Sequence, residues 1–223
     1  MTNIKIVPFK EQETEAIIFD LGGVILNLDV RKTVDAFLEL GFDNVEEKMA
    51  RIMTKNSGSG APGIFQLYET GRISSAQFRD GLRKYANRDM SDEDIDKAWT
   101  AMLLGLPPGN IRLLERLGKS YKLFLLSNTN AIHIETLVRN SPNGEGFTSL
   151  VNLFDKVYYS HVLKMRKPDA EIFRHVIQDA RLNPGTTVFI DDSILNIEGA
   201  KAAGLLTLHH QANAGLDQLF ESA

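Results

Sequence analysis

Cysteine is absent from the 223-residue chain. That excludes disulfides, thiol catalysis and cysteine-ligated metals, and leaves the compartment open. Long apolar runs are missing as well. None approaches the roughly 18 residues that a helix needs to cross a bilayer, so no membrane partner is expected. There is no excess of positive charge: 25 Lys and Arg face 29 Asp and Glu, for a net charge of −4. This gives no electrostatic case for nucleic acid or an anionic membrane surface. The five histidines include no His-x-x-x-His pair, so a histidine-held zinc is not expected. Residues 1–15 lack the apolar segment of a secretory signal, which makes a soluble, cytoplasmic protein the expectation. Neither an internal repeat nor a low-complexity tract is present. What remains is 43% hydrophobic and 24% charged, the balance of a globular chain with one large domain or a core with an insertion.

The chain is organised around Ala16-Ile17-Ile18-Phe19-Asp20-Leu21-Gly22-Gly23-Val24. Four apolar residues without a polar break predict a short strand buried on both faces, as in a parallel sheet. The strand ends in a carboxylate followed by two glycines, which let the backbone turn sharply and approach a bound group. Upstream, residues 1–14 read as an edge strand or a loose arm. From Val30 to Leu106 the period is helical: Val34, Phe37 and Leu38, then Ile64, Phe65 and Tyr68, then Phe78 and Leu82, then Ile95, Ala98, Trp99 and Met102. Ser74 or Ser75, and Ser91, predict helix N-caps, and residues 54–63 predict a flexible loop. Residues 29–106 therefore read as an all-helical insertion, with 1–28 and 107–223 forming the core. After Pro107-Pro108-Gly109, strands over 121–126, 155–160, 187–190 and 205–208 alternate with helices. That alternation implies a parallel sheet with right-handed crossovers, an α/β Rossmann-like three-layer core.

Polar groups sit at three of the predicted strand tips: Asp20, Ser127-Asn128 and Asp191-Asp192. Lys167 opens a helix after the third strand. In an open parallel sheet these tips share one edge, beyond the carboxyl ends of the strands. Their chemistry is mutually consistent. A carboxylate attacks phosphorus and forms an aspartyl-phosphate. A hydroxyl, backbone N–H groups and a cation offset the phosphoryl charge. Mg²⁺ takes hard oxygen ligands and few protein carboxylates. Each tip alone is equally well a helix cap, a turn or a solvated side chain; four on one edge by chance is much rarer.

These stretches resemble the haloacid dehalogenase superfamily of phosphohydrolases over nearly the whole chain. Phe19-Asp20-Leu21-Gly22-Gly23-Val24, Leu126-Ser127-Asn128, Lys167-Pro168 and Phe189-Ile190-Asp191-Asp192-Ser193 match its four motifs in order. The resemblance implies Asp20 as nucleophile, with Ser127, Asn128, Lys167, Leu21 and Gly22 around the phosphate. It implies Mg²⁺ on Asp20, Asp192 and the Gly22 carbonyl, with Asp191 behind them, and a small α-helical cap over 29–106. The chain is also similar to a bacterial subgroup of sugar-phosphate phosphatases that includes glucose-1-phosphate phosphatases. The expected partner is a small phosphorylated metabolite.

One position departs from the family pattern. Most of its phosphatases carry a second Asp two residues after the nucleophile, as general acid and base; here that residue is Gly22. Loss of such an acid costs about 100- to 10,000-fold, most for a poorly stabilised alkoxide. Two alternatives therefore stay open: a C–halogen hydrolase, whose leaving group needs no proton, and a non-catalytic phosphate-binding or signalling relative. His133 reads as a core or surface residue before a handler of water or leaving group. Trp99 reads as helix-packing core. The turn Glu69-Thr70-Gly71-Arg72 is equally a plain connection or a segment that reads substrate.

Overall fold

The computed structural model describes residues 4–6, 13–42, 62–86, 88–141 and 146–222. Its centre is a five-stranded parallel sheet. Strand β2 (Ala16–Phe19) lies in the middle, flanked by β5 (Lys122–Ser127) and β7 (Thr187–Asp191); β6 (Lys156–Tyr159) and β8 (Leu206–His209) form the two edges. All four pairings are parallel, and every residue of β2 is buried. The alternation of side chains along a strand sorts the core into two layers. Ile17, Phe19, Leu123, Leu125, Val188 and Ile190 pack with α5 (Pro108–Leu117) and α7 (Phe147–Val151). Ile18, Phe124, Leu126 and Phe189 pack with α9 (Ala170–Asp179) and α10 (Ile194–Ala202). This is the three-layer α/β fold that the alternating pattern predicts.

A third apolar cluster belongs to the helices described between residues 30 and 100. These are α1 (Val30–Glu39), α2 (Ile64–Glu69), α3 (Ser75–Arg83) and α4 (Asp92–Thr100). Phe37, Phe65, Tyr68, Phe78, Leu82, Ile95 and Trp99 are buried against one another. Tyr68 stacks on Phe78 with ring centroids 4.3 Å apart. Ser74 and Ser91 each form a capping box, with Gln77 and Asp94 respectively, which fixes where α3 and α4 begin.

Several expectations are corrected. The insertion is not helical throughout: β3 (Asn27–Leu28) and β4 (Leu103–Gly105) pair antiparallel at its base. Met102 therefore lies past the last helix, in the turn that leads into the ribbon. Leu38 is 44% exposed and is not part of the buried stripe. The arm at β1 (Ile4–Ile6) pairs antiparallel with β9 (Phe220–Ser222) in a separate ribbon and does not extend the main sheet. Lys167 does not open a helix. A short helix α8 (Ser160–Leu163) follows β6, and Lys167 lies in the turn between it and α9. Both α7 and α8 are too short to leave a periodic signal. Of the loop read over 54–63, residues 54–61 lie outside the described residues.

Candidate active site

Asp20 follows the last residue of β2, and its N–H donates to the Ile190 carbonyl of β7 at 2.9 Å. That bond brings the acids of β2 and β7 to one level of the sheet. Oxygens of Asp20, Asp191 and Asp192 all lie within 4.8 Å of one another. The Lys167 ammonium is set between two of them, 2.7 Å from Asp20 Oδ1 and 2.6 Å from Asp191 Oδ2. Lys167 is 1% exposed and Asp191 is fully buried. Three carboxylates thus face one ammonium in a place with little water to screen them.

The titration of the cluster follows from that imbalance. The Asp20 carboxyl is raised to about 7, with burial the largest cause; the charge of Lys167 opposes that rise and the charge of Asp191 contributes to it. The Asp192 carboxyl is likewise raised, first by burial and then by the charge of Asp191. Burial works against the charge of Lys167, but Asp20 and Asp191 outweigh it and its pKa is raised. A further positive charge is what the site lacks for all three carboxylates to ionise together. Their hard oxygens suit Mg²⁺.

The glycine turn is built for closeness. Gly23 has φ +79°, and a Cβ there would meet Asp192 Oδ2 at 2.4 Å. The turn is closed by bonds from Gly23 N–H to the Leu26 carbonyl and from the Ile25 and Leu26 N–H groups to the Leu21 carbonyl. Among the described residues, neither the N–H nor the carbonyl of Gly22 is used in these bonds. Ser127 is buried at the tip of β5. The Asn128 side chain clasps the Lys167 backbone, accepting from its N–H and donating to its carbonyl, both at 2.9 Å. That amide therefore holds the lysine turn in place, and the backbone of Asn128 is what remains for a ligand. Leu21, Gly22, Ser127 and Asn128 line one end of a cavity of about 140 Å³; Glu69 and His133 line it too.

Two groups escaped the sequence reading. Asn196 donates to both oxygens of Asp191, at 3.0 and 3.1 Å, and the Ser193 N–H adds a bond at 2.8 Å. A polar residue in the first turn of the helix after an acidic strand tip was the available signal. Arg166, beside Lys167, pairs through Nε with Glu69 Oε2 at 2.7 Å. His133, on α6 (Ala131–Arg139), is buried, stacked on Trp99 with centroids 4.9 Å apart, and its Nε2 lies 3.2 Å from the Trp99 carbonyl. A carbonyl only accepts, so Nε2 carries the proton. Burial pushes its pKa down to about 4, which keeps the ring neutral.

A family model for the haloacid dehalogenase-like hydrolases matches residues 14–204. The chain belongs to the haloacid dehalogenase-like hydrolase family. It is 32% identical over 198 residues to a D-ribitol-5-phosphate phosphatase of Bacteroides thetaiotaomicron, covering 89% of this chain and 92% of that protein. It is 26% identical to a phosphorylated carbohydrates phosphatase of Thermotoga maritima, over 90% of this chain and 88% of that one. A crystal structure of a haloacid dehalogenase family enzyme from B. thetaiotaomicron, in complex with magnesium and inorganic phosphate, superposes with a TM-score of 0.82. Its identity to this chain is 37%, covering 92% of this chain and 98% of that one.

Proposed function

We propose that the chain is a Mg²⁺-dependent phosphomonoesterase that hydrolyses a small phosphorylated sugar or polyol through an aspartyl-phosphate on Asp20. The observation that carries this reading is the cluster of three carboxylates around the buried Lys167 ammonium. The phosphatases among its relatives, with phosphorylated carbohydrates in their names, support the same substrate class.

Asp191 is already engaged by Lys167, Ser193 and Asn196. We therefore assign Mg²⁺ to Asp20, Asp192 and the Gly22 carbonyl, with Asp191 supporting. When bound, the ion supplies charge that offsets the phosphoryl oxygens and lets the carboxylates ionise together. The Asp20 carboxylate attacks phosphorus and forms an acyl phosphate, and the ester P–O bond breaks. Lys167, the Ser127 hydroxyl and the N–H groups of Leu21, Gly22 and Asn128 offset the charge. Water then attacks the phosphorus of the acyl phosphate, releasing inorganic phosphate and restoring Asp20. Gly22 brings no side-chain acid, so the departing alkoxide takes its proton from water. Residues 29–106 act as a cap over this reaction, carried on the core of 1–28 and 107–223. A separate aromatic cluster and the β3–β4 ribbon at the base of the helices support that division. No helix among the described residues is long and apolar enough to cross a membrane; a cytoplasmic place of action is proposed from the metabolite class.

The test is a panel of phosphate esters assayed with the purified protein, with and without Mg²⁺. Phosphate release that needs the ion is expected. Full phosphate release in excess chelator would overturn the Mg²⁺ dependence, and no release from any ester would overturn the phosphatase reading and favour C–halogen hydrolysis.

A further inference from the structure

Among the described residues, the cavity that runs from the phosphate end has one charged lining group, and it is negative. Glu69, the last residue of α2, lines it together with Asn130, His133 and Trp99, while Leu28, Met102 and Leu103 supply apolar wall. No lysine or arginine lines this cavity among the described residues. Glu69 is held from two sides. Its carbonyl accepts from Ser160 Oγ at 2.7 Å, and Ser160 Oγ in turn accepts from the Thr129 N–H at 2.9 Å. Among the described residues its carboxylate is engaged by Arg166 through Oε2, and its side chain stays 27% exposed. The turn is tight as well: a Cβ at Gly71, φ +60°, would lie 2.1 Å from the His161 carbonyl oxygen. A fixed carboxylate of this kind accepts hydrogen bonds at little ordering cost.

We infer that Glu69 is a specificity-determining residue that reads the hydroxyls of the leaving group. This inference rests on the phosphatase reading and deepens it. Hydroxyl groups donate to the free side of the carboxylate, while the apolar wall covers the carbon chain. A second phosphate or a carboxylate in the substrate finds no cation in the cavity lining among the described residues, and the Arg166 Nε is already taken by Glu69. The favoured class is a neutral polyol or sugar bearing a single phosphate. Arg166 is adjacent to Lys167 in the chain, so the group that orients Glu69 sits on the same turn as the reacting lysine.

The experiment compares the full chain with Glu69→Gln on three probes in Mg²⁺: ribitol 5-phosphate, p-nitrophenyl phosphate and a sugar bisphosphate. Loss of a hydrogen bond to a charged acceptor is expected to lower kcat/KM for ribitol 5-phosphate about ten- to a hundredfold, chiefly through KM. p-Nitrophenyl phosphate has no hydroxyls to read, so its kcat/KM is expected to fall at least about fivefold less than that of ribitol 5-phosphate. The bisphosphate, poor for the unmodified chain, gains relative to ribitol 5-phosphate. Glu69→Asp keeps the charge and is expected to keep the preference for the polyol over the bisphosphate. Equal losses on all three probes would mean that Glu69 only fastens the turn, and would overturn the inference alone. An unmodified chain that turns over none of the three overturns the phosphatase reading and the inference with it.

Discussion

Gly23→Ala separates the metal ligand from the fold. Two costs follow from one added methyl group. The first is local: φ +79° is left-handed backbone, which costs a residue with a Cβ about 1–2 kcal/mol. In a chain of this size that lowers Tm by roughly 2–8 °C. The second cost is directed. The new Cβ would lie 2.4 Å from Asp192 Oδ2 and 2.9 Å from its Cγ, so the carboxylate must retreat by about 1 Å to reach ordinary contact. Mg²⁺ tolerates little departure from about 2.1 Å, and a ligand moved that far is lost. Apparent Mg²⁺ affinity is expected to fall at least about tenfold, the scale seen for lesser disturbances around metal ligands. The assay is a Mg²⁺ titration of phosphatase activity beside thermal scans of the metal-free protein. The same change made in an Asp192→Ala background is the control. There the steric target is gone, so the metal effects of the two substitutions are expected to combine to less than their sum. An unchanged Mg²⁺ requirement in Gly23→Ala, with Tm lowered as expected, would refute the placement of Asp192 on the metal.

Asp20→Asn is expected to abolish turnover while the protein stays folded; retention of even about a tenth of the activity would defeat the covalent route. Because Gly22 supplies no acid, single-turnover rates are expected to fall steeply as the leaving-group pKa rises, with sugar 1-phosphates ahead of 6-phosphates. A flat dependence would mean that another group donates the proton. Gly22→Asp flattens the slope only if Leu28 gives way, since its Cδ1 lies 2.5 Å from the Cβ position, so pairing the change with Leu28→Ala is expected to work better. His133, held near pKa 4 by burial against about 6.5 unfolded, binds its proton more readily in the unfolded chain. Stability is therefore complete above pH 6.5 and is lost as pH falls towards 4, by about 2 kcal/mol at pH 5; urea midpoints of His133→Gln are expected to lack that component of the slope.

The core was legible because its signals are local and repeated. An unbroken apolar run such as Ile17-Ile18-Phe19 has few folded solutions besides a doubly buried strand, and the parallel register then puts Asp20 beside Asp191 without further instruction. Lys167 lies beside Asp20 and Asp191, but not at the start of a helix as its sequence suggests. The turn that carries it is held by the Asn128 amide, a bond between segments 39 residues apart that no period reveals. Asn196 escaped for a related reason: its role depends on facing Asp191 across the first turn of α10, whereas in sequence it is one more asparagine on a helix. The helices between Val30 and Thr100 show where such reading ends. They follow from their stripes and capping boxes, but their seat on the core does not. That seat is made by single contacts such as the Ile132 N–H donating to the Tyr68 hydroxyl at 3.1 Å and Trp99 Nε1 donating to Asn130 Oδ1 at 3.3 Å. Each joins residues far apart in the chain, and each was equally available for solvent or for packing. We place substrate preference at that seam, at Glu69 above all, and single contacts of this kind leave far less trace in a sequence than the acidic strand tips that carry the chemistry.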